Sequence, residues 1–374
     1  MKRLFQIDLN PNRIYGLDIL RALAILFVVI GHGAYLMPPA RYKYVNYFVF
    51  DGVSIFFVLS GFLIGGILIK ILNNHGLNIK LILNFWKRRW FRTLPNYFLI
   101  LTVLLILSAL FKEDFVVTDK WEYYLFIQNL FTKHPIFFPE AWSLSIEEWF
   151  YLLLPILLFI WIKLFKLSIN KALLITAIGI IVCVTLFRYY RYENLEINNL
   201  IAWDKTFRKQ VFTRLDSLMF GVIGAYIFYN YKAFWQRYKK LLLVVGIALF
   251  LISRYNFFGF HPWGFYSCVF SFTTVSVATL FLLPYLSGLK NGKGFVYKFL
   301  TYISLISYSM YLINLILVQK WLLGSINWEP VEQFNGYLFL LSRYFLYWVF
   351  TVGISILLYK YFEIPVMNLR DRKW

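Results

Sequence analysis

An all-α, polytopic membrane bundle of about ten transmembrane helices is the fold this sequence predicts, and three observations predict it. Of the 374 residues, 60% are hydrophobic, 22% are aromatic and only 15% are charged, whereas a soluble domain carries roughly 45–50% apolar and about 25% charged residues. Whole segments are apolar on every face, where a soluble helix keeps one polar side. Most of these segments are also long enough to cross a hydrocarbon core of about 30 Å at about 1.5 Å per residue. Only lipid hides so much apolar surface.

The expected spans, in order, are Ile14–Leu36, Phe50–Leu72, Thr93–Phe111, Ala141–Ile162, Ala172–Phe187, Leu215–Tyr231, Leu241–Ile252, Gly264–Ser287, Leu300–Leu323 and Leu338–Tyr359. The seventh is short. The first is no signal peptide, since it carries Asp18, Arg21 and His32 and no small-residue cleavage pattern follows. There is no internal repeat, low-complexity tract or Pro/Gly-rich linker, so residues 1–374 are expected to form one membrane domain with no soluble domain appended.

Lys and Arg outnumber Asp and Glu by 38 to 18. The cations lie between apolar spans, which excludes nucleic-acid binding and points to cytoplasmic loops and the lipid bilayer. With the N-terminus inside, the inner segments hold 23 basic residues and the outer ones 11, so both termini are expected to be cytoplasmic. The outer stretch from Arg188 to Lys209 is itself basic. Cys183 and Cys268 fall in apolar segments and are expected to be small buried hydrophobes.

Ionisable groups inside a span are costly and mark functional candidates. In the first span Arg21 and His32 are eleven positions apart, which at 100° per residue places them on one face about 16 Å apart along the axis. A polar line on one face suggests a path through the bundle. The blander alternative pairs Asp18 with Arg21 and makes His32 a capping or interfacial histidine. Asp51 sits at the predicted outer mouth, where Asp is also a common helix-start residue, and Gly61, Gly65 and Gly66 permit close helix approach.

The inner loop FWKRRWFRTLPNY carries Lys87, Arg88, Arg89 and Arg92. These are either a membrane anchor or a phosphate site for a donor such as coenzyme A, since guanidinium forks match phosphate oxygens. The fourth span opens with Trp142, Ser143 and Ser145 before Glu147 and Glu148; at an outer helix start one carboxylate needs no function, but two beside aromatic rings suit a sugar. The outer segments WEYYLFIQNLF and FHPWGFY suit either stacking on sugar rings or an interfacial belt.

RALAILFVVIGH, SIFFVLSGFLI, RRWFRTLPNY, WSLSIEEWFYLLLP, RLDSLMFGVIGAY, ISYSMYLIN and YFEIPVMNLRDR occur in this order. Together they resemble the acyltransferase-3 family of bacterial integral-membrane acyltransferases, from about Tyr15 to Arg372. The resemblance implies a bundle of about ten helices in the bacterial cytoplasmic (inner) membrane. It would transfer an acyl group, most often acetyl from acetyl-coenzyme A, onto a hydroxyl of a carbohydrate such as lipopolysaccharide O-antigen or exopolysaccharide. It assigns Arg21 and His32 to the family's Arg–His pair, Arg89 and Arg92 to its Arg-x-x-Arg motif, and Ser143 and Glu147 to its Ser-x-x-x-Glu motif.

His32, Arg21 and Glu147 are thus the catalytic candidates, with His32 as general base or transient acyl carrier and Glu147 expected near the outer end, orienting His32 or binding the acceptor. Arg89, Arg92 and Arg88 are candidates for the donor's phosphates, and Asp51, Ser143 and Trp142 for the acceptor. No metal is expected, because His75, His134 and His261 fall in separate predicted loops. Two positions depart from the family: Ser54 stands where many members carry an acid, with Asp51 a helical turn away, and Asn314 where many carry His. The alternative from another class is a polysaccharide or glycolipid transporter or flippase, against which there is no inverted repeat; a sensor or scaffold would bind no donor.

Overall fold

The computed structural model describes residues 13–370. The terminal cations Lys2, Arg3, Arg372 and Lys373 that entered the orientation count lie outside it, as does the side chain of His75. Among the described residues the chain is all-helical. Each expected span falls on a long helix: α1 Tyr15–Gly33, α2 Gly52–His75, α3 Ile79–Phe111, α4 Ala141–Lys163, α5 Ile169–Asn194, α6 Leu215–Asn230, α7 Lys239–Tyr255, α8 Ser271–Leu286, α9 Gly294–Ile313 and α10 Gly336–Leu358. Seven helical stretches are long and apolar enough to cross a membrane, which makes this a multi-pass membrane protein; α6, α7 and α8 are the shorter members.

Glycine sets the tightest crossing. A Cβ at Gly61 would lie 1.9 Å from the Leu218 carbonyl oxygen, and one at Gly221 would lie 2.1 Å from that of Val58. The backbones of α2 and α6 therefore touch, as small residues allow in lipid. Gly52 does the same against the Ala24 carbonyl at 2.2 Å, which brings the N-terminus of α2 onto the outer half of α1.

Buried charge braces α5 against α6. Arg188 on α5 and Asp216 on α6 are fully buried and paired at 2.7 Å, and the same guanidinium donates to Thr273 Oγ1 at 3.0 Å and the Thr213 carbonyl at 3.3 Å. These added bonds offset part of the cost of burying the pair, although Arg188 Nε and Asp216 Oδ1 are left without a hydrogen-bond partner among the described residues.

Three expectations are corrected. The stretch with Lys87 to Arg92 is no loop: it lies within α3, 33 residues long and so about 50 Å at 1.5 Å per residue. That exceeds the hydrocarbon core, so its first turns carry the cations beyond lipid; Pro95 is tolerated inside a helix packed by neighbours. Cys183 is exposed, because α5 lies at the rim of the bundle, whereas Cys268 is buried as expected. Asp18 does not pair with Arg21: it accepts from Arg13 and from Ser304 Oγ at 2.8 Å. Arg21 makes no ion pair among the described residues and is left for the interior.

Candidate functional site

Arg21 and His32 border two different chambers. One chamber, the inner in the orientation that the charge asymmetry predicts, is about 110 Å³ and is lined by Arg21, Arg89, Arg92, Ser143, Glu147 and Tyr308. The other, the outer in that orientation, is about 560 Å³ and is lined by His32, Asp51, Trp142, Asp204, Arg208 and Lys209. Val53 and Tyr311 belong to both walls, so the two spaces are separated by a partition one side chain thick. Ser143 and Tyr311 latch it, with their hydroxyl oxygens 2.6 Å apart and the Tyr311 hydroxyl 3.1 Å from the Glu140 carbonyl oxygen.

Helical geometry sorts the cations of α3. Arg89 and Arg92 are three residues apart, share a face and line the inner chamber; Arg88, one position off, is exposed outside that lining. Arg89 Nε is buried with no hydrogen-bond partner among the described residues. An orphaned buried donor is costly, and an anionic ligand would relieve it.

Glu147 is not at the outer mouth. It lies six residues into α4, about 9 Å along the axis, and its carboxylate accepts from Ser60 at 3.2 Å and Tyr151 at 2.9 Å. It therefore faces Arg21 and Arg92 in the inner chamber and does not touch His32. Its neighbour Glu148 is not part of that chamber's lining and accepts from Thr93 Oγ1 at 2.6 Å. Successive residues at the start of α4 serve both sides: Trp142 faces the outer chamber and Ser143 the inner.

The partner of His32 is Asn314, whose Oδ1 lies 2.6 Å from Nδ1. The Asn314 amide nitrogen donates at 2.8 Å to the carbonyls of both Met310 and Tyr311. Its oxygen must therefore face the imidazole, which places the proton on Nδ1 and leaves the Nε2 lone pair free. Asn314 also begins a π-helical stretch, Asn314–Leu322, a form enriched at functional sites. The widened turn frees the N–H groups of Leu315 and Ile316, which donate to Glu140 Oε1 at 3.2 and 2.8 Å. Burial pushes the Glu140 carboxyl up to about 7.

The residues that carry this geometry bear a family signature. The family model described as an acyltransferase domain, that of acyltransferase 3, matches residues 14–360. The chain belongs to the acyltransferase-3 family. It is 28% identical over 331 residues to O-acetyltransferase OatA of Staphylococcus aureus (strain NCTC 8325 / PS 47), an alignment covering 81% of this chain and 50% of that protein. The same figures hold for O-acetyltransferase OatA of strain MRSA252. The chain thus spans about half the length of the curated relatives it matches. No solved structure matches it.

Both residues that depart from the acyltransferase-3 pattern are hydrogen-bonded into the site. Ser54 Oγ donates to Asp51 Oδ2 at 2.6 Å and accepts from Arg214 Nη2 at 2.5 Å, while Asp51 caps α2 by accepting from the Ser54 N–H at 3.2 Å. The serine hydroxyl thus bridges the turn between Asp51 and a fully buried arginine. Asn314, in place of histidine, holds His32.

Several site residues were missed in the sequence. Arg208 stacks over the Trp142 ring at 5.2 Å and pairs with Asp204 at 3.0 Å and Asp51 at 3.7 Å, and Lys209 pairs with Asp204 at 2.5 Å. Burial alone would raise the Asp204 carboxyl, but the two cations hold it below the usual range. The signal was the basic outer stretch that ran against the charge asymmetry. Buried Asn129 ties the roof together, donating to the Trp142 carbonyl at 3.0 Å and the Lys209 carbonyl at 2.8 Å.

WEYYLFIQNLF lines none of these cavities, while FHPWGFY contributes Phe260, Pro262 and Tyr266 to a groove beside the outer chamber. His134 is structural: it is buried 3.0 Å from the Phe138 carbonyl oxygen, and burial pushes its imidazole down to about 4. Among the described residues no three His, Cys, Asp or Glu side chains gather as a metal site.

Proposed function

We propose that this protein is a membrane O-acyltransferase that moves an acyl group, most often acetyl, from acyl-coenzyme A at the cytoplasmic face to a hydroxyl of a cell-surface or secreted carbohydrate at the outer face. The observation that carries this reading is the pair of chambers meeting at Tyr311, one with Arg21, Arg89 and Arg92 and the other with the Asn314-held His32. In this reading the ten helices cross the bacterial cytoplasmic membrane with both termini inside, the orientation that the charge asymmetry supports.

Arg89 and Arg92 hold the donor's phosphates where α3 leaves the lipid. An inner chamber of about 110 Å³ admits only the acyl end of so large a donor. There Arg21 offers positive charge to the thioester oxygen as negative charge develops on it, and Glu147 offsets part of the positive charge of Arg21, Arg89 and Arg92. Tyr311 and Ser143 release their latch as the acyl carbonyl reaches the partition. His32 Nε2 takes the proton of the acceptor hydroxyl while the oxygen attacks the carbonyl carbon. The new C–O bond forms, the C–S bond breaks, and the proton passes to the departing thiolate. Asp51, Trp142 and the Arg208–Asp204 pair line the acceptor's place; a sugar presents ring faces to aromatics and hydroxyls to such charged pairs.

The test is turnover of radiolabelled acetyl-coenzyme A by purified protein in lipid nanodiscs with no gradient. Consumption that is lost in His32→Ala, with the variant still inserted and monodisperse, supports the reading. Turnover retained in that variant excludes His32 from the chemistry.

A further inference from the structure

The outer chamber continues sideways. A groove of about 450 Å³ shares Val49, Phe50, Asp51, Trp203 and Arg254 with it. Its far wall offers Phe260 and Tyr266, stacked at 4.2 Å between ring centres, with Ser267 and Asn256 beside them. Aromatic faces interleaved with small polar groups suit a sugar ring.

Arg254 stands at the junction. It is carried by the last turn of α7, which Asn256 ends in a left-handed conformation at φ 50°. Its Nη2 donates to the Asn46 carbonyl oxygen, its Nε is buried without a hydrogen-bond partner, and no carboxylate pairs with it among the described residues. The nearby acids are engaged: Asp51 with Ser54, Arg208 and Arg214, Asp204 with Arg208 and Lys209. The dipole at the end of α7 favours a cation there, but it supplies no counter-charge to the face turned toward the cavity. A half-buried, unpaired guanidinium is expensive in an empty protein and becomes favourable once an anion meets it.

We infer that the groove is a second saccharide subsite and that Arg254 binds a carboxylate or phosphate on the sugar adjoining the one acylated over His32. The acceptor is then an anionic glycan at least two residues long. This rests on the acyl-transfer reading for the role of His32, but the charge preference is measurable without any acyl donor.

The probes are digalacturonate and its neutral dimethyl ester, titrated calorimetrically into the full chain in phosphatidylcholine nanodiscs. Wild type binds the acid at least about tenfold more tightly than the ester, as one charge-assisted hydrogen bond at a cation provides. Arg254→Gln equalises the two, and Arg254→Lys keeps a preference, which separates lost charge from lost fold. His32→Ala retains the preference while losing acetyl-coenzyme A turnover. Equal affinities in wild type, no binding of the acid, or a preference that survives Arg254→Gln overturns the subsite. So does displacement of the acid by phosphatidylglycerol mixed into the nanodiscs, which assigns the cation to a lipid headgroup. If no variant or wild type consumes acetyl-coenzyme A yet the acid preference stands, the acyl-transfer reading fails and the anion site survives.

Discussion

Asn314 Oδ1 and His32 Nδ1 lie 2.6 Å apart, joining the π-helical turn after α9 to the outer end of α1. The contact fixes the tautomer that exposes Nε2. Asn314→Leu should therefore lower acetyl transfer by about 10²-fold, the lower end of what general-base catalysis supplies, with little change in KM for acetyl-coenzyme A. Steady-state kinetics in nanodiscs checks this, and an unchanged kcat would remove Asn314 from the mechanism.

Donor and acceptor residues should separate kinetically. Arg89→Ala and Arg92→Ala remove phosphate contacts made in ground and transition states alike, so KM for acetyl-coenzyme A should rise about tenfold or more with kcat little altered. Arg88→Ala, on the exposed side of α3, should leave both near wild type. Equal effects at all three positions would mean a general anchor instead of a site.

Ser54 joins Asp51 to buried Arg214. Ser54→Ala leaves that guanidinium with a lost acceptor, at a cost of about 1–3 kcal/mol, read as a lower unfolding temperature in detergent. Ser54→Asp, paired with Asp51→Asn to keep the charge constant, should recover most of the loss because a carboxylate then meets Arg214 directly.

Gly61 has no room for a side chain, since the obstacle is the Leu218 backbone carbonyl and not a side chain that can rotate away. Gly61→Leu should abolish the monodisperse peak in fluorescence-detected size-exclusion chromatography. Gly179, which has nothing within 4 Å of an added Cβ, should accept leucine without loss.

Glu140 predicts a pH dependence. Burial raises its carboxyl from 4.5 to about 7, so the folded protein binds this proton more tightly than the unfolded chain does. The stabilisation is complete below pH 4.5 and is lost as pH rises through about 7. Glu140→Gln keeps an acceptor for the Leu315 and Ile316 N–H groups but cannot ionise. The fall in thermal stability across that window should flatten in the variant, as differential scanning fluorimetry would show; an identical slope would refute the assignment.

Much of the bundle was legible because lipid imposes it. A spanning segment must be apolar along its whole length, so each expected span overlaps a helix, but the polar extensions escaped: α3 begins 14 residues before the expected Thr93 and α5 runs seven beyond Phe187. Ionisable residues that break that rule stand out, as Arg21, His32 and Glu147 do. The outer half was less legible. Arg208, Lys209 and Arg188 look like misplaced topological charge until Asp204 and Asp216 are seen beside them; Asp204 is a local i,i+4 partner of Arg208, whereas Asp216 meets Arg188 from another helix that no local pattern joins. Glu147 was placed too far out even though the start of its helix at Ala141 was read correctly, because six residues carry a side chain about 9 Å along the axis and so into the chamber of Arg21.

The sequence by itself determined that the chain lives in a membrane, where its apolar helices fall and which polar residues are costly inside them, since hydropathy and spacing act locally. Only the tertiary structure decided which of those residues meet. It set Arg21 and His32 in separate chambers, gave His32 to Asn314 and not to Glu147, and left Arg254 without a carboxylate. Those pairings depend on helix rotation and close backbone crossings, fixed by packing between segments far apart in the chain.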